Sequence, residues 1–176
     1  MDNIKDAASR VKMVIFDIDG VLTDGSLFYD NQGQEYKAFN SRDGHGIRML
    51  QDGGIKLALL TGRQSELVLH RAANLGIPEE LIYQGYRDKR PAFAALCEKT
   101  GIPPEQIAYV GDDVIDLPVM TKVGLPIAVA DAHAFVKQHA RLITQAPGGR
   151  GAAREVCELL LDAQGKLEAM LAGYLQ

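Results

Sequence analysis

Two carboxylates with a single residue between them, Asp17 and Asp19, close the short apolar run of residues 11–16. That run has the pattern of a strand buried on both faces. A buried strand does not end in charge without a cation nearby, because a buried ion costs several kcal/mol unless it is paired or bound to metal. Three later segments end in the same polar way: Thr61 follows the apolar run 55–60, Lys89 comes just after the run 81–84, and Asp112 with Asp113 follows 107–110. Asp17, Asp19 and Asp112 make an oxygen-only set suited to Mg²⁺. With a spacing of two, one acid of the first pair can offer its side chain and the other its backbone carbonyl. If Asp17 attacks a phosphate, like charges approach; one such pair costs about 4 kcal/mol at 4 Å and an effective dielectric near 20. Mg²⁺ and Lys89 would remove that repulsion. Thr61 and the backbone N–H groups near Ile18 and Gly62 would take the remaining phosphate oxygens. The product of the attack is an aspartyl-phosphate. Asp19 would protonate the leaving alkoxide and then activate the hydrolytic water.

These groups meet only if the strands carrying them lie side by side in one direction. Strand-like runs at 11–16, 55–60, 81–84, 107–110, 126–129 and 142–144 alternate with helix-like stretches at 65–75, 89–100, 116–123, 134–139 and 152–163. Such alternation predicts an α/β, doubly wound, mostly parallel sheet, whose strand ends gather ligands at one edge. Residues 1–10 read as a polar lead-in. Residues 26–39 read as a hairpin turning at Asp30, Asn31, Gln32 and Gly33. Asn40 to Gly44 lead into a further helix that stops at Gly53 and Gly54.

At 176 residues the chain is expected to form one domain. Its apolar share of 47% and charged share of 24% are those of a soluble globular protein, and a net charge of −4 with no long Lys/Arg run gives nucleic acid no electrostatic help. Cys97 and Cys157 lack metal or redox spacing and read as free thiols, and His45, His70, His133 and His139 lack ligand spacing. No apolar run approaches ~18 residues and the start lacks a signal-peptide core, so a cytoplasmic location is expected.

The set Asp17-x-Asp19-Gly-Val-x-Thr23, Thr61, Lys89 and Gly111-Asp112-Asp113-x-x-Asp116 resembles the four motifs of the haloacid dehalogenase-like phosphatase superfamily, in that family's order. FDIDGVLTDG, the segment Phe39-Asn40-Ser41-Arg42-Asp43-Gly44, Thr61-Gly62-Arg63 and Gly148-Gly149-Arg150-Gly151 are similar to the family of 3-deoxy-D-manno-octulosonate 8-phosphate phosphatases. Ser41 departs from that family, which often has Val there. The resemblance implies an Mg²⁺-dependent monoesterase of lipopolysaccharide sugar synthesis, assembled as a homotetramer. It implies Asp17 as nucleophile, Asp19 as acid/base, Asp17, Asp19 and Asp112 as metal ligands, and Asp113 and Asp116 as partners that orient Lys89 or metal waters. It also implies substrate contacts from residues 40–44.

The hairpin is too short to be a cap domain, so a neighbouring subunit is expected to cover the site. Leu167, Met170, Leu171, Tyr174 and Leu175 fall on one helical stripe within the tail 165–176, which is expected to pack on another chain. A sugar acid needs cations beyond Lys89; Arg48, Arg63 and Arg71 are candidates in the same chain and Arg150 for a neighbour's site. The same motifs also admit another nonulosonate or sugar phosphate. A non-catalytic phospho-receiver or assembly module is the alternative from a different class.

Overall fold

The computed structural model describes residues 2–176. In chain order the elements are α1 (Asp2–Ser9), β1 (Met13–Phe16), β2 (Phe28–Tyr29), β3 (Glu35–Tyr36), α2 (Ser41–Asp52), β4 (Lys56–Leu60), α3 (Glu66–Leu75) and β5 (Ile82–Tyr83). They continue with α4 (Arg90–Thr100), β6 (Ile107–Gly111), α5 (Leu117–Met120), β7 (Leu125–Ala128), α6 (Ala134–His139), β8 (Leu142–Ile143), α7 (Ala152–Ala163) and α8 (Leu167–Ala172). Six strands form one sheet in the order β5-β4-β1-β6-β7-β8, with every pairing parallel. This is the expected α/β sheet. From β1 the chain winds outward through β4 to β5, then returns to β6 on the other side of β1. Right-handed crossovers therefore place helices on both faces. α2 packs against α7 and α7 against α1, while α4, α5 and α6 make a separate succession of contacts.

Residues Met13 to Phe16 are fully buried because β1 has a neighbour on each edge and helices above and below. Phe16 is level with Leu59 on one side and Val110 on the other, so Asp17, Thr61 and Asp112 emerge at one edge of the sheet. The change of winding direction falls between β1 and β6, the place where open α/β sheets form their ligand crevice.

Three expectations need correction. The polar lead-in is largely helical: α1 buries Ala7 and Ala8 and packs Ile4 against the core, while Met1 of that stretch lies outside the described residues. The helix expected over 116–123 is a 3₁₀ turn at Val114–Asp116 followed by the four residues of α5, because Asp113 caps the turn through its side chain three residues early. The tail does not form one apolar stripe. α8 ends at Ala172, so Leu167 and Met170 pack on the chain's own core while Tyr174 and Leu175 are 63% and 88% exposed. Tyr174 Oη sits 3.0 Å from His45 Nε2 of the same chain. Both cysteines are free, Cys157 buried and Cys97 half-buried.

Candidate active site

The base of the site is a buried charge cluster at the ends of β1 and β6. Lys89 is fully buried, and its Nζ donates to Asp116 Oδ1 at 2.6 Å, Tyr109 Oη at 3.0 Å and the Leu60 carbonyl at 3.1 Å. It also pairs with Asp17 Oδ1 at 3.1 Å. Tyr109 donates to the same Asp116 oxygen at 2.6 Å, and Asp116 Oδ2 accepts the N–H groups of Asp112 and Asp113 at 2.9 and 3.2 Å. Asp116 is thus spent on holding Lys89, Tyr109 and the loop. Burial would lower the Lys89 pKa, but Asp17 and Asp116 outweigh it and raise the value, so the ammonium stays charged. Asp17 Oδ1 accepts the Ile18 N–H at 2.7 Å. Burial, then the Asp116 charge, push Asp17 up to about 7 against the pull of Lys89. Burial and the charges of Asp17 and Asp116 push Asp112 up to about 8.

Oxygens of Asp17, Asp112 and Asp116 lie within 4.8 Å of one another. Three carboxylates against one ammonium leave an excess of two negative charges, the charge of one divalent cation. Asp112 Oδ1 is buried and has no hydrogen-bond partner among the described residues. An orphaned buried oxygen beside two carboxylates fits a hard oxygen-seeking cation. The close approach is built in by Gly20, at φ +91°, where a Cβ would stand 2.1 Å from Asp112 Oδ2. Gly148 packs as tightly: a Cβ there would meet the Gly20 carbonyl at 1.8 Å, so the late glycine loop braces the turn after β1.

The rim is built by the hairpin of its own chain. Lys37 Nζ lies 2.5 Å from Asp19 Oδ1 and 3.3 Å from Glu35 Oε1, with its side chain 1% exposed. Arg63 Nη2 donates to Tyr29 Oη at 2.6 Å and Glu35 Oε1 at 2.8 Å, and its Nε lies 3.8 Å from Asp19 Oδ2. Asp19 is therefore held mainly from the hairpin, with Arg63 of the loop after β4 standing farther off. Above the base opens a cavity of about 440 Å³ lined by Asp17, Asp19, Thr61, Gly62, Arg63, Arg87, Asp112, Asp113 and Ile115. Thr61 is buried at the end of β4, and its Oγ1 accepts the Arg63 N–H at 3.3 Å. Asp113 is exposed and caps its turn by accepting the Val114 N–H at 2.7 Å.

The remaining predicted residues stand elsewhere. Asn40 Oδ1 caps α2 by accepting the N–H groups of Arg42 and Asp43, at 2.8 and 3.3 Å. Asp43 is buried and accepts the N–H groups of Gly151 and Arg154, at 3.3 and 2.9 Å, so it caps α7. Arg71 donates to the Asn40 carbonyl and to Asn74 Oδ1, and Arg48 to the Asn74 carbonyl. These two line a shallow surface hollow with Ser41, Gly44 and His45. Arg42 is exposed, and Arg150 pairs with Asp24 at 3.3 Å. None of these lines the cavity over Asp17.

Sequence reasoning missed Lys37, Glu35, Tyr29, Arg87 and Tyr109. Only Tyr109 left a signal, since a phenol inside a fully buried strand needs a polar partner. Lys37 comes eighteen residues after Asp19, and no local pattern links the two.

A parallel sheet with an acidic, lysine-braced cluster at its switch point defines a haloacid dehalogenase-like hydrolase, and residues 80–155 match the family model of that description. Over 161 residues, 92% of this chain and 85% of the relative, the sequence is 53% identical to 3-deoxy-D-manno-octulosonate 8-phosphate phosphatase KdsC of Escherichia coli (strain K12). The chain belongs to the 3-deoxy-D-manno-octulosonate 8-phosphate phosphatase family. The crystal structure of the Yersinia pestis phosphatase superposes with a TM-score of 0.92 at 49% identity, covering 95% of this chain and 89% of that one. The Moraxella catarrhalis phosphatase, in complex with a magnesium ion, a phosphate ion and KDO, superposes with a TM-score of 0.95 at 41% identity and 99% coverage of both chains.

Proposed function

We propose that this chain hydrolyses 3-deoxy-D-manno-octulosonate 8-phosphate to the free sugar acid and inorganic phosphate, with Mg²⁺ and through an aspartyl-phosphate on Asp17. The single observation that carries this reading is the buried Asp17–Lys89–Asp116–Asp112 cluster, with one orphaned oxygen, opening into a cavity that also holds Thr61 and Asp19. The relatives supply the substrate: the curated ones carry this activity in their names, and the Moraxella enzyme binds the sugar acid with magnesium and phosphate.

Asp17 and Asp112 would hold the Mg²⁺ through their carboxylates, and Asp19 through its backbone carbonyl, which leaves its carboxylate, oriented by Lys37, for proton transfer. When bound, the ion supplies the positive charge that lets an anionic nucleophile meet an anionic ester. Lys89 and the Ile18 N–H fix Asp17 by its Oδ1. Asp17 attacks phosphorus, the sugar oxygen leaves, and Asp19 gives that oxygen its proton. Asp19 then takes a proton from water, which attacks phosphorus, releases phosphate and restores Asp17. Thr61, with the N–H of Gly62, binds the phosphate oxygens. Asp116 and Asp113 hold Lys89 and the loop.

Arg63 lines the cavity of its own chain, whereas Ser41, Arg42, Arg48, Arg71 and Arg150 would serve only across a subunit boundary, and Asn40, Asp43 and Gly44 would act by shaping that surface. Assembly as a homotetramer gives them that role. It would also cover Leu27, Phe28, Tyr29 and Tyr36, which the hairpin leaves 48–54% exposed. No helix among the described residues is long and apolar enough to cross a membrane. Phosphate release is to be measured with Mg²⁺ over a panel of sugar phosphates. Preferred turnover of the octulosonate ester is expected, a preference for another nonulosonate phosphate would move the substrate, and no release from any ester would leave a phospho-receiver.

A further inference from the structure

The cavity over Asp17 carries two cationic side chains at its wall besides the buried Lys89, and they differ in what they are free to do. Arg63 is spent: Tyr29, Glu35 and Asp19 take its guanidinium. Arg87 lines the same cavity, is exposed, and among the described residues makes no hydrogen bond or ion pair. Its backbone is nevertheless fixed. The Gly85 N–H donates to the Arg63 carbonyl at 3.1 Å and the Tyr86 N–H to the Thr61 carbonyl at 3.2 Å, so the segment before Lys89 is stapled to the loop after β4. Arg87 Cα stands 3.9 Å from where a Cβ on Gly62 would be, against the phosphate-binding turn itself.

The charges of the site leave a job for such a residue. A divalent cation and Lys89 answer the carboxylates and the phosphate at the base. An octulosonate 8-phosphate carries a second anion, its carboxylate, at the far end of an eight-carbon chain. With the phosphate seated at Asp17, that end projects toward the mouth, where the wall is otherwise acidic (Asp19 and Asp113) or apolar (Ile115). An unpaired guanidinium on a fixed backbone is the group that recognises a carboxylate there in a two-pronged fashion.

We infer that Arg87 is a specificity-determining residue that binds the carboxylate of the sugar acid at the mouth of its own chain's site. This rests on the substrate being a phosphorylated sugar acid. The test compares KM for 3-deoxy-D-manno-octulosonate 8-phosphate with KM for p-nitrophenyl phosphate, a monoester without a carboxylate, using the full chain with Mg²⁺. In Arg87→Gln the ratio of the first KM to the second is expected to rise about tenfold or more, the size of a lost charged hydrogen bond. Arg87→Lys, which keeps the charge but not the fork, is expected to recover part of that ratio. An equal rise in both KM values would make Arg87 a phosphate contact and overturn the inference, as would no rise in either. A wild-type chain that releases no phosphate from the acid overturns the substrate reading and the inference with it; a wild-type chain that does, beside an unmoved ratio, overturns the inference alone.

Discussion

The base and the rim of the site hold the same kinds of side chain in opposite ways. At the base, Lys89, Asp116 and Tyr109 are fully buried, come from three elements of one layered core, and hold one another within 3.0 Å. At the rim, Lys37, Glu35, Arg63 and Tyr29 bridge a two-pair hairpin to the sheet, and Arg63 and Tyr29 stand largely in solvent. A buried network is costly to leave half-made, so each member is required for the fold as well as for chemistry. The rim acids keep 16–19% of their side chains exposed, against 0–6% at the base, so the rim contributes less to stability and can position one carboxylate.

The largest effect should come from the base residue we propose as the nucleophile. Asp17→Asn is expected to lower kcat by at least about 10⁴-fold while the chain still folds, with phosphate release and circular dichroism as the two measurements. A folded variant that turns over normally would dissolve the distinction at its centre. Next, Lys89→Met should cost about 3–5 kcal/mol in urea unfolding, because Asp17 and Asp116 lose their shared countercharge. Lys37→Met should behave the other way. Its kcat is expected to fall about tenfold to a hundredfold through a misplaced Asp19, with a smaller loss in urea unfolding than Lys89→Met. Comparable losses of stability in the two lysine variants would show that base and rim are one network.

The smallest effect is a pH dependence confined to the base. Asp17 and Asp112 hold their protons up to about pH 7 and 8 in the folded metal-free chain, against 3.8 for an ordinary Asp. The folded state therefore binds more protons than the unfolded one between these values. Stability should be full below 3.8 and fall as pH rises through 7 to 8. In EDTA the urea midpoint is expected to be lower at pH 8 than at pH 5. Saturating Mg²⁺ should raise the midpoint more at pH 8, where the carboxylates are free to bind it. A midpoint indifferent to both pH and metal would remove the charge excess from which the cation was inferred.

What the sequence determined by itself was the base, Tyr109 apart. Asp17, Thr61 and Asp112 each follow an apolar strand run, and a parallel sheet must bring such ends to one edge, so local pattern and one topological rule were enough. Asn40 and Asp43 carried the look of a substrate motif, and within the chain they cap α2 and α7, because a short carboxyl or carboxamide beside a helix start is first claimed by unpaired backbone N–H groups. Only the tertiary structure decided the rim. Lys37 reaches Asp19, Arg63 reaches Glu35 and Arg87 is left unpaired among the described residues through the way a hairpin and two loops lie across the sheet, and contacts between side chains distant in sequence leave no periodicity to read.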